Sequence, residues 1–192
     1  MRPPRPAERR DAGSARIIEH AGAKAIATSS AAVAWSHGYP DGQAIPREAL
    51  LATVREIVRV VGVPVSADVE AGYAPDADAA GAFAARVVEA GAVGVIVEHG
   101  TGAPDLLAAK IERMKTAAAK AGGALRVNAR VDVYLRRLAE GPAAYDETPA
   151  RARREAGARP DPLDDGALRN PEPNGLMRRE RARAPPRYLA VK

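Results

Sequence analysis

Acidic side chains follow short apolar runs of this sequence, and their spacing is typical of a site for a divalent cation. Asp68 and Glu70 follow one apolar run, and Glu98 follows the next run along the chain. Alternation along an extended strand places Asp68 and Glu70 on the same side. The sequence has no cysteine and 3 histidines. Three carboxylates in that setting favour a hard, oxygen-seeking ion such as Mg²⁺.

Two further features are suited to binding a substrate. Arg130 follows a fourth apolar run, and a guanidinium can bind a substrate carboxylate through two parallel hydrogen bonds. Backbone amides around Ser29 and Ser30, after the first run, could hold a developing oxyanion. Each feature also has a simpler interpretation: the carboxylates cap a turn, Arg130 pairs structurally with Asp132, and the serines form a polar turn. The hypothesis of a site therefore depends on their joint position at four successive strand ends.

The apolar runs belong to a repeated unit that predicts how these residues are positioned. A glycine ends the helix before each run: Gly22, Gly62, Gly91 and Gly122. Glycine is the favoured residue just after a helix, and near-continuous apolar strands alternating with helices are typical of parallel β/α units. Four visible strands predict an α/β fold of the (β/α)₈ TIM-barrel type, incomplete, with about four to five β/α units; a doubly wound sheet is the alternative. Both folds carry their sites at the carboxyl ends of the strands.

The two ends of the chain differ from this body in composition. We predict an irregular basic segment over 1–10, a partial barrel over 11–157 and an Arg/Pro-rich, disordered tail over 158–192. The cap signal at Gly157 predicts a strand, but two prolines and three acidic residues follow it. No strand is visible before Asp11 either. We interpret the chain as truncated or frameshifted at both ends; disordered tails on a complete domain are the alternative.

Composition excludes several classes of protein. The chain has 192 residues, of which 46% are hydrophobic, enough for one packed domain. The absence of cysteine excludes a disulfide scaffold, a thiolate metal site and a cysteine nucleophile. The apolar runs are too short to cross a membrane and no signal-peptide core is present, so we expect a cytoplasmic protein without membrane partners. The net charge of +5 comes from the two ends of the chain. These ends have no interleaved aromatic residue beyond Tyr188, so nucleic-acid binding is not expected.

Several motifs together resemble the phosphoenolpyruvate mutase/isocitrate lyase superfamily over about residues 11–157. The resemblance is carried by Asp11–Arg16, Thr28–Ser30, Gly38–Gly42, Asp68–Tyr73, Glu98 and Asn128–Asp132. It implies a TIM barrel, Mg²⁺ as cofactor and a lyase that cleaves a C–C or P–C bond of a small 2-hydroxy or 2-oxo carboxylic acid through a pyruvate-type enolate. It also implies a homo-oligomer where the barrel is complete.

The resemblance implies a role for each candidate residue. Four acidic side chains are expected at the metal site: Asp41, Asp68, Glu70 and Glu98. Arg130 and Glu98 would be the catalytic residues, and Arg130 would hold the substrate carboxylate. Ser29, Ser30 and Asp41 would contact the rest of the substrate.

The segment after Glu98 departs from the family pattern. Isocitrate and methylisocitrate lyases carry a Lys-x-Cys-Gly-His loop there, whereas this sequence has neither lysine nor cysteine between His99 and Pro104. Those two activities are therefore not expected, and the gating lysine of phosphoenolpyruvate mutase is absent as well. Two alternative functions stay open, a catalytically inactive remnant of such an enzyme and, more weakly, a basic-tailed nucleic-acid-binding protein.

Overall fold

A single sheet of short parallel strands forms the framework of the protein. The computed structural model describes residues 7–157 and 190–191, so the predicted tail over 158–192 lies almost entirely outside the described residues. The strands are β1 Ala7–Arg9, β2 Ile26–Thr28, β3 Val65–Asp68, β4 Gly94–Glu98, β5 Arg126–Arg130 and β6 Ala190–Val191. The helices are α1 Ala12–His20, α2 Ser30–Ser36, α3 Arg47–Val60, α4 Ala77–Glu89, α5 Pro104–Lys120 and α6 Gly141–Gly157.

Strand order distinguishes the two folds that the sequence left open. The strands lie in the sheet in the same order as in the chain, and the first five pair in parallel. A doubly wound sheet reverses its order at a switch point, whereas a barrel adds each strand on the same side. The described residues therefore form part of a (β/α)₈-type barrel, which confirms the predicted fold class.

Helices α4 and α5 pack against one face of the sheet. Phe83 of α4 and Met114 of α5 are almost fully buried there, together with Val95 and Val97 of β4. Side chains alternate along a strand, so the neighbours of these two valines project from the opposite face. The helix face is therefore apolar and the other face is free to carry polar groups.

Among the described helices, none combines the length and the hydropathy that crossing a bilayer requires.

Both ends of the sheet differ from the prediction. We expected irregular structure over 1–10, but β1 pairs in parallel with β2, with Ala7 beside Ile26. At the other end β6, inside the predicted disordered tail, pairs antiparallel with β5. An edge strand pairs through its backbone groups alone, so it needs no apolar pattern that a sequence would reveal.

Gly81 marks the closest approach of α4 to α5 and provides a test of this packing. A Cβ atom at Gly81 would lie 3.0 Å from the carbonyl oxygen of Arg113. We expect Gly81→Ala to destabilise the protein by about 1–3 kcal/mol, because overpacking against backbone outweighs the better helix propensity of alanine. At Gly13 of α1 a Cβ would meet only Asp11 Oδ1, at 3.6 Å. The control Gly13→Ala should therefore stabilise by up to about 1 kcal/mol. Urea unfolding measures both changes, and shifts of the same sign would contradict the prediction.

Candidate active site

Three of the predicted site residues lie on the polar face of the sheet, at the carboxyl ends of three neighbouring strands. Ala67 and Val97 pack in the core with the helices, so the adjacent Asp68 and Glu98 project from the opposite face. The strand register places Glu98 of β4 directly beside Arg130 of β5. The structure therefore brings two of the predicted acidic residues and the predicted arginine to one edge of the sheet.

The carboxylate of Asp68 is held by backbone amides from two segments. Its Oδ2 accepts a hydrogen bond from Ser30 N–H at 3.1 Å, and its Oδ1 accepts one from Glu70 N–H at 3.1 Å. The backbone N–H of Asp68 donates to Thr28 Oγ1 at 2.7 Å. Asp68 thus caps the following turn, as the simpler interpretation proposed, and also joins β3 to the start of α2. The amide of Ser30 is thus bonded to Asp68, whereas Ser29, the N-cap residue of α2, makes no side-chain cap hydrogen bond.

Glu70 lies in the turn after β3, with its backbone in the left-handed region at φ 48°. Its Oε1 accepts a hydrogen bond from Tyr73 Oη–H at 2.8 Å, and its Oε2 accepts one from Gln43 N–H at 2.7 Å. Its carbonyl accepts from Glu98 N–H at 2.8 Å. Asp41 is exposed, in the loop that carries Gln43. The orientation of Glu70 is therefore set by groups from two loops and a strand.

Burial disfavours the ionised forms of the two carboxyl groups Asp68 and Glu70. Desolvation raises the pKa of Asp68, although hydrogen bonds from Glu70 and Ser30 and the charge of Arg130 act in the opposite direction. Desolvation also raises the pKa of Glu70, and repulsion from Asp41 and Asp68 raises it further. A cation bound beside these two carboxyl groups would stabilise their ionised forms.

Arg130 is held between two buried carboxylates. Its guanidinium contacts Glu98, and its Nε donates to Asp132 Oδ1 at 2.7 Å. Glu98 and Asp132 are 5% and 1% exposed. Glu98 also lies 3.5 Å from Arg136, and Asp132 Oδ2 accepts from Gly100 N–H at 3.2 Å. The structural ion pair that the sequence left open is present, and Glu98 joins it.

His99 connects the segment after β4 to the segment after β5. Its Nδ1 bonds to the carbonyl of Gly100 at 2.8 Å, so Nδ1 carries the proton. Its Nε2 then accepts from Asp132 N–H at 3.4 Å. Burial lowers the pKa of His99, which agrees with a neutral ring. This histidine therefore supports the position of Asp132 and, through it, that of Arg130.

The donor set fits Mg²⁺ but does not form a closed protein cage. Among the described residues, no three histidine or acidic side chains are grouped closely enough to hold a metal ion by themselves. Glu98 is paired with two arginines, whereas burial disfavours the ionised forms of Asp68 and Glu70, which a cation would stabilise. Mg²⁺ is commonly bound through one or two carboxylates, with waters and substrate completing its octahedron. Asp68 and Glu70 match that pattern, directly or through waters.

Several residues that the sequence did not assign to the site contribute contacts to it. Tyr73 and Asp132 lie within the motifs Asp68–Tyr73 and Asn128–Asp132. Their position in these motifs was the one feature of the sequence that could have assigned them to the site. Gln43 contributes a backbone amide, which no side-chain pattern can reveal. Lys110 reaches the turn after β3 from the middle of α5 and donates to the carbonyls of Ala71 and Ala74.

Comparison with known proteins agrees with this architecture. The family model described as phosphoenolpyruvate phosphomutase matches residues 7–160. The chain is similar to a proposed phosphonomutase from Burkholderia cenocepacia J2315, with 36% identity and a TM-score of 0.75 over 81% of this chain and 67% of that one. A proposed lyase or mutase from the same organism has 33% identity and a TM-score of 0.71, over 82% of this chain and 59% of that one.

A more distant structure shares the fold. Phosphonopyruvate hydrolase, solved in complex with oxalate and Mg²⁺, has 22% identity and a TM-score of 0.71, over 80% of this chain and 54% of that one. This chain thus spans from 54% to 67% of the length of the three structures. No curated protein sequence matches it.

Proposed function

Because the chain belongs to the phosphoenolpyruvate phosphomutase family, we propose that it is a Mg²⁺-dependent lyase or mutase. Its substrate would be a small 2-oxo or 2-hydroxy carboxylic acid, cleaved at a C–C or P–C bond through a pyruvate-type enolate. The observation that carries the proposal is the pair of buried carboxylates Asp68, at the end of β3, and Glu70, in the turn that follows it. Arg130 lies two strands away on β5, and its charge acts on Asp68. The oxalate and Mg²⁺ bound by phosphonopyruvate hydrolase support it, because oxalate mimics a planar enolate.

In this proposal Asp68 and Glu70 hold the cation, and Arg130 binds the carboxylate of the substrate. When bound, Mg²⁺ supplies positive charge that stabilises an enolate oxygen. The amides of Ser30 and Glu70 keep the Asp68 carboxylate oriented, and Tyr73 does the same for Glu70. Preorganised charges of this kind are aimed at developing negative charge without rearranging during the reaction.

The guanidinium group of Arg130 is fixed in position and is still partly exposed, so a substrate can reach it. Its bonds to Glu98 and Asp132 orient the guanidinium, while its side chain stays 24% exposed. A guanidinium has five N–H donors, so some remain for a substrate carboxylate. Ser29, the N-cap residue of α2, would contact a further substrate oxygen. A cytoplasmic location and a homo-oligomer belong to the same proposal.

Thermal unfolding tests this function directly. We expect the melting midpoint to rise by about 5–10 °C when Mg²⁺ and oxalate are both present at about 100 times their dissociation constants, because ligands that bind only the folded state stabilise it. Each ligand alone should have a smaller effect, since each completes the site for the other. Acetate is the matched control, because it has one carboxylate and cannot chelate the ion. A melt without a cooperative transition, or one that the pair does not shift, would contradict the proposal.

A further inference from the structure

A buried lysine on the helix side of the sheet contacts the turn that carries Glu70. Lys110 is 5% exposed and extends from α5. Its Nζ donates to the carbonyls of Ala71 at 2.8 Å and of Ala74 at 2.7 Å. A buried ammonium group is costly unless its donors are satisfied. These two bonds therefore couple the middle of α5 to the segment just after Glu70.

The turn that Lys110 holds is conformationally strained. Glu70, Gly72 and Tyr73 all have left-handed backbones, at φ 48°, 88° and 49°. Such conformations are unfavourable for residues other than glycine and persist where surrounding contacts hold them. A Cβ atom at Gly72 would lie 2.9 Å from Met114 Cε and 4.0 Å from Lys110 Cδ, so the turn lies directly on α5. Helix α5 is therefore the support on which the turn rests.

From these contacts we propose that Lys110 is a positioning residue for the cation site. By holding two carbonyls of the turn, it keeps the carboxylate of Glu70 and the hydroxyl of Tyr73 aimed at the site. This inference rests on the proposed function, because it takes Glu70 as a cation ligand. Lys110 would act through these two carbonyls of the turn and not by contact with the cation or the substrate. Its length suits this role, because the butyl stem crosses from α5 to the turn and the ammonium group can donate to both carbonyls.

Metal affinity and local exchange separate this role from a contribution to overall stability. Isothermal titration with Mn²⁺, used as a probe for Mg²⁺, measures the affinity of the wild type and of Lys110→Met. We expect about 10- to 100-fold weaker binding in the variant, as is typical when a group that orients a metal ligand is lost. Hydrogen exchange should become faster in the segment 69–76, including the amide of Gly72, which donates to Val69. Lys120→Met is the matched control, because Lys120 is exposed in the last turn of the same helix.

Each outcome of the experiment bears on the inference. Equal Mn²⁺ affinity and equal exchange in the wild type and Lys110→Met would overturn it. A wild type that binds no Mn²⁺ would overturn the proposed function instead, and the exchange measurement would still show whether Lys110 holds the turn. If Lys110→Met does not fold, Lys110→Gln gives the same test, because glutamine keeps a donor but is too short to reach both carbonyls. Affinity and exchange at the wild-type level in that variant would also overturn the inference.

Discussion

Replacing Arg130 with alanine is expected to lower the free energy of unfolding by about 3–5 kcal/mol. The guanidinium is the shared partner of Glu98 and Asp132, which are 5% and 1% exposed. Its removal leaves two buried carboxylates close together without their principal counter-charge, and the desolvation cost of both is no longer offset. Urea unfolding at neutral pH measures the loss. Mg²⁺ with oxalate should also no longer stabilise this variant, because the guanidinium group that would bind the oxalate carboxylate is absent.

Two further variants separate the charge effect from a simple loss of packing. Arg126→Ala removes an exposed arginine from the same strand and the same face, so it should change stability by no more than about 0.5 kcal/mol. Adding Glu98→Gln and Asp132→Asn to Arg130→Ala removes the unpaired charges and should restore part of the lost stability. A loss no larger than that of Arg126→Ala would show that Arg130 is not the central charge of this cluster.

Replacing Asp68 with asparagine should remove the response of the protein to Mg²⁺ while the fold is retained. Asparagine keeps the size of the side chain and one carbonyl oxygen, which can accept from the amide of Ser30 or of Glu70 but not from both. It carries no charge, so the proposed cation site loses half of its buried negative charge. We expect Mg²⁺ and Mn²⁺ to bind at least about tenfold more weakly. Asp146→Asn, at an exposed position of α6, is the control and should bind as the wild type does.

Comparison with Asp68→Asn also tests how Asp68 makes the stability of the metal-free protein depend on pH. Burial raises the pKa of Asp68 in the folded protein above its ordinary value of 3.8. A raised carboxyl pKa means that the folded state binds the proton more tightly than the unfolded state. The stability that protonation of Asp68 contributes is therefore fully present below pH 3.8 and is lost as the pH rises through the folded-state pKa.

Subtracting one unfolding curve from the other isolates this effect. Other carboxyl groups, such as Asp11, have a lowered pKa and contribute in the opposite direction. Groups that do not interact with Asp68 are common to both proteins, so they cancel in the difference between the wild type and Asp68→Asn. Glu70 does not cancel, because the charge of Asp68 raises its pKa, but it changes the difference in the same direction as Asp68. The wild type should lose stability relative to the variant as the pH rises from about 4 towards neutrality. A difference that does not change with pH would show that Asp68 has the same proton affinity in both states.

Much of the architecture is determined by local features of the sequence. Glycines after helices, prolines at helix starts and short apolar runs depend on neighbours a few residues away, so they predict β/α units without knowledge of the tertiary structure. Chain order then places Asp68, Glu98 and Arg130 on adjacent strands, where the structure has them. Helix α2 and strand β1 were not predicted, because one is short and the other pairs through its backbone.

The partners of the site residues were decided by the tertiary structure alone. The sequence could not distinguish a substrate-binding Arg130 from a structural ion pair with Asp132, and the structure shows this residue held by both Asp132 and Glu98. No feature of the sequence indicated that the amide of Ser30 donates a hydrogen bond to Asp68, or that Lys110 donates to two carbonyls of the turn after Glu70. Apart from the Arg130–Asp132 pair, these contacts join residues that are more than thirty positions apart in the chain. They depend on strand register and on how closely a helix approaches a turn, and neither is encoded in the residue types of one segment.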